Sequence, residues 1–425
     1  MTVPNSLPLA RELYIAQLAV QRAALATKRL LPDIAPSPKP STIDPVSVAT
    51  PTPLRRYLHP ATWPLASKIT NEPIPGHLLR RQSLAKHDKS PVTVADLAAQ
   101  ALLISALHAA FPSDLIIGEE DASALRNDPE LASRVWELVC STRLEDAESE
   151  ALLARPGSLD DMLAVIDLGA GMVSDEMFAS GEEGMKGRRF WCMDPIDGTS
   201  AYMQGGQYAI SLALIQDGRE VLGVLGCPNV KKEECAGEKG WRVEERNIDR
   251  EGLGVMLSAV KGQGAVMRPI GKGVLEPAVR VDRGRGTKVD LREIHFVDSS
   301  NSPATLTEKV RELAEMTGAT YPAGTELYAS HMRYAAMVLG GREFVQLRWP
   351  KKPVATWSIW DHAGSQLIYT ESGAGKVTDL AGNPIDFTAG KKLSKSWGLI
   401  TADESIHGEI VKLVAEMMKK AGISQ

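Results

Sequence analysis

The sequence predicts an α/β protein of the α+β type, built from two domains. Its 425 residues exceed the usual length of one domain, and 44% of them are hydrophobic, so the chain can bury a large core. Two apolar, alternating segments, at 207–218 and 220–230, predict antiparallel strands joined by an Asp-Gly turn. A second block of strands and helices begins near Leu291. The polar, glycine-containing stretch before it predicts a domain boundary after residue 284, with domains at 1–284 and 285–425.

The first predicted element is a helix over residues 10–31, in which apolar residues recur between basic ones. Such a basic helix is also typical of a mitochondrial presequence, but Glu12 interrupts that pattern and favours a structural helix. Residues 32–86 follow as a Pro-rich insert or loop, because their composition does not favour a helix. Between Thr52 and Ser90 there are seven Lys and Arg and two acidic residues. This segment is either a solvated basic loop, which is the commoner case, or a flap over a substrate.

Regular structure resumes with a helix over residues 95–110, which ends before Pro112. Residues 115–121 then predict a short strand that runs into acidic residues. The remaining predicted elements are helices within 122–163, helices at 306–316 and 330–341, and a strand at 343–350.

Composition excludes several classes of function. The net charge of −5 argues against a nucleic-acid partner, and no apolar run reaches the ~18 residues that span a membrane. The four cysteines form no CxxC pair and no zinc ligand set, as expected for reduced thiols in the cytoplasm. We therefore expect a cytoplasmic monomer that acts on a small molecule.

The most informative segment runs from Phe190 to Met203, with the sequence FWCMDPIDGTSAYM. Its apolar start predicts a buried strand, and Asp194 and Asp197 follow on either side of a Pro before a turn. Two carboxylates and the Thr199 hydroxyl should therefore meet at the carboxyl end of a strand. Hard divalent cations such as Mg²⁺ prefer oxygen ligands, so the segment predicts half of a magnesium site.

Other carboxylates also lie at predicted element boundaries. Glu119 and Glu120 follow a strand, whereas Asp96 and Asp361 lie at predicted helix starts. Taken singly, an Asp at a helix start is commonly an N-cap, and an acidic turn is ordinary. Together with the aspartates of the central segment, they predict one acidic centre.

The motifs GEE, DPIDGT and WDHAG occur unbroken at 118–120, 194–199 and 360–364. With this combination the chain resembles the lithium-sensitive, magnesium-dependent phosphomonoesterases related to inositol monophosphatase, over nearly its whole length. The segments at 90–100 and 206–218 are similar to those of the 3'(2'),5'-bisphosphate nucleotidases within that family. The resemblance implies a layered α-β-α-β-α sandwich of the inositol monophosphatase and fructose-1,6-bisphosphatase type, with two domains.

The resemblance implies a cofactor of two to three Mg²⁺ ions per site. Glu119, Asp194 and the backbone carbonyl of Ile196 are the implied ligands of the first ion. Asp194 bridges to a second ion about 4 Å away, which Asp197 and Asp361 complete. A third, weaker ion is implied at Glu119 through waters.

The implied catalytic residues are Asp96, Thr199 and Glu119. Thr199 orients the attacking water and Asp96 accepts the threonine proton, because a hydroxyl needs such a neighbour to act near pH 7. Gly198 and Thr199 are also expected to open a helix whose amides face the phosphate. Glu120 is expected to support the site rather than to bind an ion.

The implied substrate-binding residues are Gly198, Thr199, Ser330, Arg333, Arg348 and Asp361. Arg333 stands where the family has Lys, and Arg suits phosphate; the alternative is an arginine on a helix surface. One segment, 296–304, departs from the family's GVEKGHSSH. It has Ser299, Asn301 and Ala304 in place of a lysine and two histidines, so contacts to the purine or its 5'-phosphate should differ.

The resemblance implies removal of the 3'-phosphate from 3'-phosphoadenosine 5'-phosphate (PAP), giving AMP and phosphate, in sulfur assimilation or nucleotide detoxification. The resemblance also implies action on 3'-phosphoadenylyl sulfate (PAPS) and inhibition by Li⁺. One alternative is an inositol polyphosphate 1-phosphatase or inositol monophosphatase with the same metal centre. The other is a nucleotide sensor that has lost hydrolysis.

Overall fold

The computed structural model of the chain describes residues 7–31, 84–85, 91–231, 242–284, 286–299, 302, 304–322, 324–352 and 357–423. The helices, in chain order, are α1 (Ala10–Arg29), α2 (Val94–Ala110), α3 (Ser123–Asn127), α4 (Pro129–Ser141), α5 (Ala147–Ala151), α6 (Leu159–Gly171), α7 (Gly181–Met185), α8 (Thr199–Tyr202), α9 (Thr307–Thr317), α10 (Ser330–Leu339), α11 (Ser365–Glu371) and α12 (Glu404–Lys420). Most of the predicted insert at 32–86, and the substituted Asn301, lie outside the described residues.

The strands, in chain order, are β1 (Leu84–Ala85), β2 (Pro91–Val92), β3 (Leu115–Gly118), β4 (Arg189–Asp197), β5 (Ala209–Gln216), β6 (Arg219–Cys227), β7 (Val255–Val260), β8 (Gly264–Pro269), β9 (Val279–Val281), β10 (His295–Asp298), β11 (Thr325–Glu326), β12 (Phe344–Arg348), β13 (Lys376–Thr378) and β14 (Leu399–Ala402). Among these described strands, β1 and β2 form a small antiparallel pair, and the others form two sheets.

The larger sheet has the strand order β3-β4-β5-β6-β7-β8-β9. β3 and β4 are parallel, and the following neighbours are antiparallel. The β5–β6 hairpin turns at Asp217 (φ 53°) and Gly218 (φ 72°), because a two-residue turn of this kind needs positive φ at both positions. The predicted antiparallel pair is thus confirmed.

Helices cover both faces of this sheet. α1 and α2 pack against each other and against β4, β5 and β6 on one face. On the other face, α10 and α11 lie between the first sheet and the second, whose order is β11-β10-β12-β14-β13. α12 packs on the outer side of the second sheet, with α9 beside it. The described chain therefore has the layer order α-β-α-β-α, which confirms the predicted fold class.

Strand β4 shows why residues 190–193 are apolar at every position. Trp191 and Met193 belong to the core beneath α1 and α2, whereas Phe190 and Cys192 belong to the core beneath α10 and α11. Successive side chains of a strand point to opposite faces, so a strand covered on both faces needs apolar residues at every position.

The strand predicted at 190–193 is longer in the structure, because β4 continues through Asp197. Asp194 pairs with Ser211 and Asp197 with Ala209, so three steps along β4 match two along β5. The extra residue is a β-bulge, at which Pro195 has no N–H to donate to the ladder. Residues three apart in a regular strand face opposite ways, and the extra residue brings the two aspartates to the same side.

The predicted domain boundary after residue 284 falls between β9 and β10, where the chain passes from the first sheet to the second. α10 and α11 follow that boundary and still contact strands of the first sheet. The division into two domains stays a prediction. No helix in the described part of the chain is long and apolar enough to cross a membrane.

Candidate active site

Three carboxylates converge where β4 ends. Asp194 and Asp197 lie on either side of the bulge, and their oxygens lie within 4.8 Å of each other and of an Asp361 oxygen. The prediction that Asp361 begins a helix is wrong: it ends the short 3₁₀ turn Ile359–Asp361, four residues before α11. Its Oδ2 accepts a hydrogen bond from the Ser358 backbone N–H at 3.1 Å, which holds the carboxylate in this turn.

Burial raises the pKa of all three carboxyls, because it disfavours the charged form. The pKa of Asp197 and that of Asp361 rise to about 6, and the pKa of Asp194 rises well above its ordinary value. The negative charge of Glu119 adds to each of these shifts. Buried oxygen donors that repel one another form the ligand set of a hard divalent cation, so these residues fit magnesium.

Glu119 follows β3, which is the parallel neighbour of β4, and its side chain lines the same cavity as the aspartates. The side chain of Gln100, in α2, holds the backbone of Glu120, the residue after Glu119. Gln100 Nε2 donates to the Glu120 carbonyl at 2.7 Å, and the Glu120 N–H donates to Gln100 Oε1 at 3.0 Å. Glu120 itself is buried and does not line that cavity. A direct role for its carboxylate in binding an ion is therefore unsupported.

Thr199 and Asp96 are in contact although 103 positions separate them. The Thr199 Oγ1 lies 3.1 Å from Asp96 Oδ1 and 3.2 Å from the carbonyl oxygen of Ile196. Asp96 is the third residue of α2, and its Oδ2 accepts from the Thr93 N–H at 2.8 Å and from the Thr93 hydroxyl at 2.5 Å. This capping box orients the carboxylate, so that its second oxygen is available to the Thr199 hydroxyl.

Gly198 and Thr199 open the one-turn helix α8, as predicted. Gly198 has φ 88°, and a Cβ at this position would lie 2.6 Å from the Cβ of Ala329, just before α10. The turn and α10 are this close because the Asp197 carboxylate accepts the first N–H groups of α10. These bonds measure 3.1 Å from Ser330 and 2.5 Å from His331. A carboxylate is favourable at a helix N-terminus, so Asp197 both faces the acidic centre and holds α10.

Two buried guanidinium groups, from Arg333 of α10 and Arg348 of β12, meet at the Ser330 hydroxyl. The distances to Ser330 Oγ are 3.1 Å from Arg333 and 3.4 Å from Arg348. Arg333 is only 4% exposed, so the alternative of a surface arginine is wrong. Burial lowers the pKa of both groups, and that of Arg333 to about 10. The Nε of each has no hydrogen-bond partner among the described residues, and both residues line the same cavity as the carboxylates.

One cavity of 580 Å³ joins the acidic centre to the arginine pair. It is lined by Glu119, Asp194, Ile196, Asp197, Gly198, Thr199, Ser200, Ala201, Gln204, Ser299, Ser302, Ala304, Tyr328, Ser330, Arg333, Arg348 and Asp361. Of the predicted site residues, only Asp96 is absent from this lining, and it reaches the cavity through Thr199. Sequence analysis missed Ser200, Ala201, Gln204, Ser302 and Tyr328. The position of Tyr328, two residues before Ser330, is the signal that could have identified it.

Comparison with known proteins shows to which family the chain is similar. A model of the "inositol monophosphatase family" matches residues 168–419. A 3'(2'),5'-bisphosphate nucleotidase of Emericella nidulans is 34% identical over 409 residues, covering 96% of this chain and 99% of the relative. The enzyme of that name from Schizosaccharomyces pombe is 35% identical over 361 residues, covering 84% and 92%. The structure of inositol monophosphatase from Anabaena (Nostoc) sp. PCC 7120 is 15% identical with a TM-score of 0.47, covering 96% and 97%.

Proposed function

The chain belongs to the inositol monophosphatase family, and we propose that within it the chain is a magnesium-dependent 3'(2'),5'-bisphosphate nucleotidase. As a phosphoric monoester hydrolase it removes the 3'-phosphate of PAP, giving AMP and phosphate, and acts on PAPS in the same way. The observation that carries the proposal is a single cavity with carboxylates at one part and two buried arginines at another. Its relatives of that name cover nearly the whole chain.

The residues proposed to hold magnesium are Glu119, Asp194, Asp197, Asp361 and the carbonyl of Ile196. When bound, two to three ions neutralise charge on the phosphate and lower the pKa of water. The scissile phosphate lies beside these carboxylates. Li⁺ sensitivity follows if Li⁺ competes for one of the cation positions.

Thr199 and Asp96 are proposed to handle the proton of the attacking water. Asp96 Oδ1 accepts the hydroxyl proton of Thr199 at 3.1 Å, which leaves the threonine oxygen free to accept a hydrogen bond from water. The water is thereby oriented toward the phosphorus. As the new P–O bond forms, the bond from phosphorus to the 3'-oxygen of the nucleotide breaks, and the water proton passes to Thr199 while the Thr199 proton passes to Asp96. The 3'-oxygen leaves as the hydroxyl of AMP, with a proton taken from solvent. Gly198 allows the tight approach of this turn to α10.

Arg333, Arg348 and Ser330 are proposed to bind the phosphate that is not cleaved. Both guanidinium groups are buried and line the cavity, so an anion bound there offsets the cost of burying their charge. A substrate with two phosphates matches a cavity with one position for each. The same chemistry in a monomeric cytoplasmic enzyme would recycle PAP formed in sulfur metabolism.

The proposal is tested by phosphate release from PAP, PAPS, inositol 1,4-bisphosphate and inositol monophosphate, each with Mg²⁺ or with EDTA. We expect turnover of the two nucleotides, dependence on Mg²⁺ and inhibition by Li⁺. Faster turnover of an inositol phosphate than of PAP would contradict the proposal and favour an inositol phosphatase. No turnover of any of the four substrates would favour a nucleotide sensor that has lost hydrolysis.

The acidic centre is tested by Asp197→Ala, which should abolish turnover while the far-ultraviolet circular dichroism remains that of a folded chain. The matched control is Asp290→Ala, which removes a carboxylate that pairs with Arg292 at the surface, and should leave turnover as it is. Turnover by Asp197→Ala at the native rate contradicts the assignment of this carboxylate.

A further inference from the structure

Tyr328 is an exposed aromatic side chain at the active-site cavity. It is 38% exposed and lines the cavity with the catalytic carboxylates. Among the described residues, the other large hydrophobic side chains with comparable exposure are Leu7, Leu152, Val274 and Val279. None of these is aromatic and none lines this cavity. An exposed ring at a binding cavity indicates a contact with ligand, because removing an aromatic ring from water is favourable in free energy.

The backbone around Tyr328 is held on both sides. Its N–H donates to Glu245 Oε2 at 3.2 Å, and its carbonyl accepts from Arg333 Nη1 at 3.1 Å. Arg333 Nη1 also binds the Leu327 carbonyl at 2.9 Å, and the Leu327 N–H donates to the Asp298 carbonyl at 3.0 Å. With its backbone polar groups satisfied, the segment presents the ring on a fixed support.

Tyr328 is also close to the reacting groups. Ser330 follows it by two positions, which is at most ~7 Å of chain, and the Ser330 N–H binds the Asp197 carboxylate. Ser302 and Ala304 line the same cavity with short side chains. A planar base attached to a bound ribose bisphosphate can reach the ring over this distance.

Resting on the proposed function, we propose that Tyr328 is the platform on which the base of the nucleotide substrate stacks, and that it selects nucleotides over inositol phosphates. The arginine pair binds a phosphate on either class of substrate and cannot distinguish them. A nucleobase has a π face that stacks on an aromatic ring, at ~1–3 kcal/mol for each base, and a polyhydroxylated inositol ring has none. The ring of Tyr328, rather than its hydroxyl, carries this selection.

The test compares Tyr328→Leu and Tyr328→Phe with the native enzyme, on PAP and on ribose 3,5-bisphosphate without a base. We expect Tyr328→Leu to raise the KM for PAP about tenfold, or ~1.4 kcal/mol, with kcat within about twofold. Its KM for the base-free ester should change by less than twofold. Tyr328→Phe, which keeps the ring, should restore the native KM for PAP to within about twofold.

Leu152→Ala is the matched control, since it truncates an exposed side chain remote from the cavity and should alter neither KM. An equal rise in both KM values for Tyr328→Leu would show a structural defect and overturn the proposal, as would no rise for PAP. Equilibrium binding of AMP and of inorganic phosphate provides a second readout, in which only AMP should lose affinity. If the native enzyme hydrolyses inositol phosphates and not PAP, the proposed function itself fails, which is a separate outcome.

Discussion

Replacing Gly198 by alanine tests how tightly the turn at Gly198 and Thr199 packs on α10. Gly198 has φ 88°, a left-handed conformation that costs a residue with a Cβ ~1–2 kcal/mol. The new Cβ would lie 2.6 Å from the Ala329 Cβ, and relief of such a contact in a packed region costs ~1–3 kcal/mol. Together the two costs predict that Gly198→Ala lowers the free energy of unfolding by ~2–5 kcal/mol.

Gly262→Ala is the matched control. Gly262 has φ 77°, and nothing lies within 4 Å of a Cβ built on it, so this variant has only the backbone cost of ~1–2 kcal/mol. Urea unfolding of both variants at equilibrium measures the two losses, and their difference isolates the contact with Ala329. Equal losses in the two variants would refute the packing argument.

The same variant should lose activity. Ala329 immediately precedes Ser330, whose N–H binds the Asp197 carboxylate at 3.1 Å. Displacing Ala329 to accommodate a Cβ therefore moves a bond that orients the acidic centre, and a small displacement there is costly to catalysis. We expect kcat to fall at least about tenfold in Gly198→Ala and to be unchanged in Gly262→Ala.

Three further predictions follow from the site and its surroundings. Thr199→Val should lower kcat by a factor of about 10²–10⁴, because it removes the hydroxyl bound to Asp96. Thr199→Ser keeps a hydroxyl and should retain most of the native kcat. Equal kcat values for the two variants would contradict the proposed role of the hydroxyl in proton transfer. Arg333→Lys keeps the positive charge but loses the planar guanidinium group and its paired N–H donors, so the KM for PAP should rise roughly tenfold. Arg333→Met also removes the charge and should raise the KM further. The same KM in both variants would exclude a role for the charge. Burial raises the pKa of Glu220 to about 8. Between the ordinary pKa of a glutamic acid and this raised value, Glu220 is protonated in the folded chain and ionised in the unfolded chain. As the pH rises from about 5 to 8, the contribution of Glu220 to the free energy of unfolding should therefore fall by ~1.4 kcal/mol per pH unit. Glu220→Gln should remove that slope in urea denaturation, and parallel curves for the two proteins would refute it.

The composition of the acidic centre could be predicted from the sequence, whereas its geometry could not. Asp194, Asp197 and Asp361 stand out because carboxylates beside buried strands are unusual unless they bind something. The bulge that turns two of them to one side depends on how β4 pairs with β5, and the local sequence reads equally well as a turn. Pairing between strands is a property of the assembled sheet.

The residues that sequence analysis missed depend on contacts between distant segments. Tyr328 acquires its fixed backbone from Glu245 and Arg333, and Glu245 lies 83 positions earlier in the chain. No local pattern shows that these side chains meet. The burial of Arg333 likewise follows from the packing of α10 between two sheets, which a helical pattern alone does not distinguish from a surface position.

The bonds from α10 to Asp197 also bear on the order in which the enzyme is made. Ser330 and His331 lie 133 and 134 positions after the carboxylate they hold, and Asp361 is synthesised later still. Closing loops of this length is slow and requires the late segments to have left the ribosome. A nascent or truncated chain that ends before α10 contains every described strand of the first sheet, yet it lacks the helices that cover one face of that sheet and the contacts that assemble the carboxylates. Under the proposed assignment, hydrolysis requires Asp361 and therefore becomes available only when the last third of the protein has been translated.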